Sequence, residues 1–396
     1  MQTQSPIANP LSIAAVTVLG LACLVAAMGI GRFAFTPLFP LMQQQDGLTL
    51  AQGAWLATAN YLGYLVGALA SYALMPSARN ALRWGLLVVA LTTTAMALGR
   101  HDLAWIALRF LAGAASAFVL VGTSAWALGA LAAAGRADLA GWVFSGVGFG
   151  IVLAGVVALA VASAGLRPAA AWLVLGVMAF AVTVAAWRVQ DSSVQAASAS
   201  NAQPTLSLHE WALVLAYGGF GFGYIIPATF LPALARALAA NPLVFGWAWP
   251  FFGAAAAAST VLVTRRLRLI APRTVCIWSL LVMAAGVLVP AVSASFAAIG
   301  LSALCVGGTF MVMTMAGFQE GRRIAQGPPA RLIAAMTAAF ALGQLLGPLL
   351  VGWGSARGNA VVGNAILFPS LVATAVLLAC ALVLAVGPGA AASRAR

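Results

Sequence analysis

The chain has 396 residues, 63% of them hydrophobic and only 6% charged, with a mean hydropathy of +1.05. Soluble domains carry about 25% charged residues, so no soluble shape of this size hides so much apolar surface, and lipid must be the solvent. The net charge of +13 comes from 19 arginines against six acids; these arginines collect in short loops between apolar runs, as membrane topology requires, which argues against nucleic acid as a partner.

Met1–Pro10 has no basic segment and no small-residue cleavage site, so the long apolar run after it is expected to be a first membrane helix rather than a removed leader. Runs of spanning length, about 20 residues or more, cover 11–41, 50–75, 82–99, 103–132, 138–164 and 169–189. A second set covers 209–235, 243–264, 273–293, 295–319, 330–355 and 361–387. The least distinct break is Val289–Phe296, with Pro290, Ser293 and Ser295 between two runs. Membrane strands need only about ten residues, so these runs predict helices. The expected fold is an all-α membrane protein of twelve helices in two six-helix bundles, 1–189 and 209–396. The polar, Ser/Ala/Gln-rich stretch between them, 190–208, reads as a flexible cytoplasmic linker.

Topology follows from arginine. With the N-terminus inside, cytoplasmic loops and the tail hold thirteen arginines, external segments hold Arg100, Arg167, Arg236 and Arg357, and Arg32 and Arg109 fall within spans. Both termini are therefore expected in the cytoplasm. The halves also repeat. A shift of 192 pairs Gly29 with Gly221, Gly31 with Gly223, Pro40 with Pro232 and Trp55 with Trp247. A shift of 197 pairs Gly146, Gly150 and Gly155 with Gly343, Gly347 and Gly352. Parallel six-helix repeats are the plan of major facilitator transporters.

The phrases GIGRFAFTPLFPLM (Gly29–Met42) and WLATANYLGYLVGAL (Trp55–Leu69) resemble the YbfB/YjiJ-type transporters of that superfamily. Arg109 followed by Gly113 matches the superfamily's span-four pattern, and Gly343-Gln344-Leu-Leu-Gly347-Pro348 resembles its Gly-Pro motif. The resemblance implies alternating access and gives Arg109, Gly343, Gly347 and Pro348 a part in gating and coupling. The loop between spans two and three departs from the pattern. Ser71 stands where an acid is expected, and only Arg79 and Arg83 remain of the basic cluster.

Arg32 is the leading site candidate. A guanidinium at membrane depth is costly, so it either snorkels to an interface or faces a cavity, a partner or a substrate. The cavity role is favoured because Tyr224 is its repeat equivalent and transporter sites form at repeat interfaces. Thr36 lies one turn on. In span two, Asn60, Tyr64, Gly67 and Ser71 share one face, the first two as cavity candidates and the last two as packing residues. Gln344, the only amide in its span, completes the binding set. Span seven, Gly218–Tyr224 with Pro227 and Pro232, reads as a loosened helix. Glu320, beside Arg322 and Arg323, is expected either in a local ion pair or in a cytoplasmic gate.

No Walker loop, metal-ligand spacing or Ser/His/acid set is present, and Cys23, Cys276, Cys305 and Cys380 are scattered. No cofactor, no metal and no enzyme activity are expected. The sequence predicts a monomeric secondary transporter in the bacterial inner membrane, moving a small, anionic solute, with a coupling proton left open. A multidrug exporter is the alternative, with a non-transporting sensor or enzyme behind it.

Overall fold

The computed structural model describes residues 11–74, 77–99, 102–189, 206–239, 241–266, 270–326, 329–356 and 362–386. Most of the linker, 190–205, lies outside these residues. The described residues are helical, with no strand among them. Span one joins α1 (Ile13–Leu24), a π-helical stretch (Val25–Ile30) and α2 (Phe35–Gln45). Spans two to six are α3 (Leu50–Leu74), α4 (Ala78–Ala95), α5 (Asp102–Thr123) with its continuation α6 (Gly129–Ala133), α7 (Ala140–Ser163) and α8 (Pro168–Ala186). Span seven is α9 (Leu208–Leu238), and the short α10 (Pro242–Phe245) precedes span eight, α11 (Ala248–Arg266). Spans nine to twelve are α12 (Pro272–Val292), α13 (Phe296–Ile324), α14 (Pro329–Ala356) and α15 (Val362–Val386). Nine of these helices are long and apolar enough to cross a bilayer by length and composition.

Local chemistry sets the ends. Ser12 accepts from the Ala15 amide to start α1, and Ser207 with Glu210 forms a capping box at the start of α9. Gly135 (φ 69°) and Gly165 (φ 66°) take the left-handed conformation that closes spans four and five. The Val289–Phe296 break is real. Ser295 is extended and caps the Ala298 amide, so α12 and α13 are separate helices.

The helices form two six-span bundles related by the repeat. In the first, α7 packs on span one and α3 packs on α5; in the second, α14 packs on α9 and α12 packs on α13 and α15. Close backbone approach carries this packing. A Cβ on Gly150 would lie 2.6 Å from the Gly29 Cα, and a Cβ on Gly343 would collide with the Gly218 carbonyl. The bundles meet along two seams, α7 against α11 and α3 against α14, while spans one and seven meet through α2 and α9.

An arginine at the start of the third helix of each bundle ties that helix to the end of the sixth. Arg83 donates to the Trp187 and Val189 carbonyls, and Arg273 donates to the Leu384 carbonyl at 2.7 Å. Both satisfy main-chain oxygens that a helix C-terminus leaves open.

Candidate functional site

Span one is broken beside Arg32 for a local reason. Pro37 has no N–H to give the Phe33 carbonyl, and that carbonyl accepts instead from the Thr36 amide at 3.2 Å. The Thr36 amide is then lost to the Arg32 carbonyl, which accepts from Arg109 Nη2 at 2.9 Å. The Gly31 carbonyl accepts from Arg109 Nη1 at 3.1 Å and from Asn60 Nδ2 at 3.3 Å. One turn earlier, Ser116 Oγ donates to the Ala27 carbonyl at 2.7 Å. The break therefore survives in a dry interior because spans two and four supply its missing donors.

Arg109 is 3% exposed and points inward to hold span one. Asn60 is bonded within the first bundle, where its amide nitrogen donates to the Gly31 and Arg109 carbonyls. Its Oδ1 is buried without a partner among the described residues.

Arg32 itself crosses to the other bundle. It is 2% exposed, and its Nη2 donates to Gln344 Oε1 at 2.9 Å. Gln344 Nε2 in turn donates to the Tyr224 hydroxyl, so one amide joins the two repeat-equivalent residues. The guanidinium lies over the Tyr64 ring at 3.9 Å, with Phe33 at 5.3 Å and Tyr61 at 5.5 Å. The ring faces offer it negative potential in place of water. Neither Arg32 nor Arg109 has a carboxylate partner among the described residues. Arg32 Nε is buried and unpaired, and so is Arg109 Nε.

Thr36 has a different partner. Pro232 gives the Ala228 carbonyl no helical donor, and Thr36 Oγ1 donates to that oxygen at 3.0 Å across 192 residues. Thr36 and Ala228 are repeat equivalents, so this contact lies close to the axis relating the bundles. Beside it, Tyr61 and Thr229 share a hydrogen bond of 3.0 Å. Neither stood out in the sequence, although Tyr61 adjoins Asn60 and Thr229 sits between Pro227 and Pro232.

The remaining candidates lie away from this cluster. Gly67 packs on the main chain at Ala114, and Ser71 donates to the Gly67 carbonyl. Gly347 packs on Ile225, and Pro348 lies inside α14. Glu320 holds Arg323 with two bonds, 2.8 and 2.9 Å, while Arg322 is exposed. That is a local ion pair at the end of α13. Glu210, unremarked in the sequence, accepts from the Gln326 amide at 3.2 Å and so ties the start of α9 to the loop after α13. A small apolar hollow of about 10 Å³, lined by Pro37, Leu41, Gly155, Pro232 and Phe245 among others, has no charged side chain in its lining.

Several solved structures share this architecture. The D-xylose-proton symporter aligns at a TM-score of 0.75 with 12% identity, covering 94% of this chain and 97% of its own. A mutant form of the nucleoside transporter NupG aligns at 0.72 with 13% identity, covering 93% and 98%. Among curated proteins no sequence matches. Residues 24–385 match the family described as the uncharacterised MFS-type transporter YbfB. A buried polar junction between two six-helix bundles, with this family match, identifies a multi-pass membrane transporter and not an enzyme. The chain belongs to the YbfB-type family of the major facilitator superfamily.

Proposed function

We propose that this transporter moves a small organic anion bearing a carboxylate, and that Arg32 receives it. The observation that carries the reading is the half-used edge of Arg32. Nε and Nη2 form one face of the guanidinium fork; Gln344 offers one oxygen to Nη2, and Nε stays buried without a partner. A carboxylate has two oxygens for that edge and supplies the missing negative charge. Tyr64, Tyr224 and Gln344 complete the binding set. Arg109, Asn60 and Thr36 hold the backbone that presents it. The substrate displaces Gln344 from Arg32, which couples binding to the contact between bundles.

The bundles are taken as 1–189 and 209–396, joined by 190–208, acting as a monomer. The arginine distribution supports an inner-membrane protein of bacterial type with both termini in the cytoplasm. In that orientation, Thr36–Ala228, Tyr61–Thr229 and Gln43–Arg236 (3.3 Å) join the bundles from the level of Arg32 toward the outside. These bonds belong to an outward-closed arrangement. Among the described residues no carboxylate stands at the level of Arg32, so a coupling proton enters with the substrate or through Glu320.

Purified protein in proteoliposomes, tested for binding and uptake of labelled carboxylates, checks the reading. Arg32→Gln is expected to weaken binding roughly 10–100-fold, the loss of charged hydrogen bonds worth about 1.5–3 kcal/mol. Arg32→Lys recovers only part, because an ammonium lacks the planar fork. Tight binding of organic cations that Arg32→Gln leaves unchanged rejects the reading in favour of a multidrug exporter.

A further inference from the structure

The surroundings of Arg32 narrow the anion further. We propose that the substrate is an aromatic carboxylate: the acid group on Arg32, a flat ring against the aromatic wall that spans seven, eight, ten and eleven build beside it. This rests on the anion reading above and adds the shape and chemistry of the rest of the molecule.

That wall is continuous. Tyr224, one amide away from Arg32, stacks on Phe310 (5.6 Å, 3°) and on Phe340 (5.5 Å, 10°). Phe33, adjacent in sequence to Arg32, meets Phe310 edge-on at 6.3 Å and Trp249 at 6.2 Å. Trp249 stacks on Phe252 at 4.9 Å and 18°. Trp249 and Phe252 are essentially unexposed, and Phe310 is 3% exposed. Tyr64 covers a face of the guanidinium. A ligand seated on Arg32 must displace or join ring-on-ring contacts. A planar ring restores the offset-stacked and edge-on geometry that aromatic faces favour, whereas a puckered ring or a chain does not.

The polar inventory agrees. Thr36, Tyr61 and Thr229 are engaged with one another's bundles, and Asn60 is engaged with backbone. A polyol would bring many hydroxyls to a wall that offers few partners, at a desolvation cost for each. Among the described residues, Arg32 Nε and the Trp249 indole N–H are donors left buried without a partner. Both call for acceptors, as an acid with a ring-borne carbonyl or hydroxyl oxygen provides.

The probes are benzoate, 4-hydroxybenzoate and indole-3-acetate as ring-bearing acids, with cyclohexanecarboxylate as the non-planar acid of matched size and charge. Benzyl alcohol and benzylammonium serve as rings without the anion. Binding is read by titration calorimetry on the full chain in lipid nanodiscs. At least one ring-bearing acid is expected to bind ten-fold or more tightly than cyclohexanecarboxylate. Trp249→Leu and Phe310→Leu bring that ratio to within two-fold. The wild-type ratio decides even where a variant does not fold. Equal affinity for planar and puckered acids, or no binding of any ring-bearing acid at millimolar concentration, overturns the inference; in the first case the anion reading stands. Benzylammonium binding above benzoate overturns both.

Discussion

Arg109 gives both terminal nitrogens to main-chain carbonyls of span one, and this separates its task from that of Arg32. Arg109→Lys keeps the charge but lacks the planar fork that reaches both carbonyls, so one buried charged hydrogen bond is lost. That costs about 1–3 kcal/mol, and the unfolding midpoint in nanodiscs is expected to fall. If Arg109→Lys unfolds with wild-type stability, the bonds to Gly31 and Arg32 do not hold the break. Thr36→Val tests the contact across bundles in the same way. It strips the Ala228 carbonyl of the hydroxyl that stands in for the amide missing at Pro232. A similar loss of stability is expected, with Thr36→Ser retaining most of it.

At the scale of elements, glycine sets how closely spans approach. Gly150→Ala places a methyl group against the Gly29 Cα, and both backbones are fixed by their own helices. Overpacking of this kind costs about 1–3 kcal/mol. Expression in lipid with an unchanged midpoint would show that span five is free to move away. The two registers of the repeat were legible because glycines recur at matched spacing, whereas the packing of spans five and eleven on spans one and seven is seen only in the fold. Element number was legible too, since each span is far longer than any soluble core helix needs. The π-helical stretch at Val25–Ile30 and the turn after it were not, because the Ala27 carbonyl takes a donor from Ser116, and the Gly31 and Arg32 carbonyls take donors from Arg109 and Asn60, all remote in sequence. Hydropathy likewise places Arg109 near the start of span four without saying which way it points. The Arg32, Tyr224 and Gln344 cluster was visible as separate candidates, and the repeat joined only the first two. That a single amide would link them is a fact of packing between bundles.

At the scale of the whole molecule, the seam of α3 with α14 supplies a direct test of alternating access. A Cβ on Gly352 would lie 3.2 Å from the Ala54 Cβ, slightly inside the separation usual for a disulfide. The double substitution Ala54→Cys with Gly352→Cys is expected to cross-link under mild oxidation and stop transport, with activity returning on reduction. Neither single substitution should respond. Full transport by the oxidised, cross-linked protein would show that this seam does not open during the cycle.

The guanidinium of Arg32 is buried within a span, with no carboxylate beside it among the described residues. Charge then follows occupancy. With a monoanion aboard, the charge of Arg32 is balanced and, of the described residues, only Arg109 keeps an unpaired charge at the centre of the transporter. Without the anion, the same motion carries one more positive charge, on which the membrane voltage exerts about 2.3 kcal/mol per 100 mV over the full field. The potential therefore acts differently on the return step and on the loaded step, and a complete uptake cycle moves one net charge. Current recorded on solid-supported membranes is expected during net uptake and absent during one-for-one exchange of the same anion.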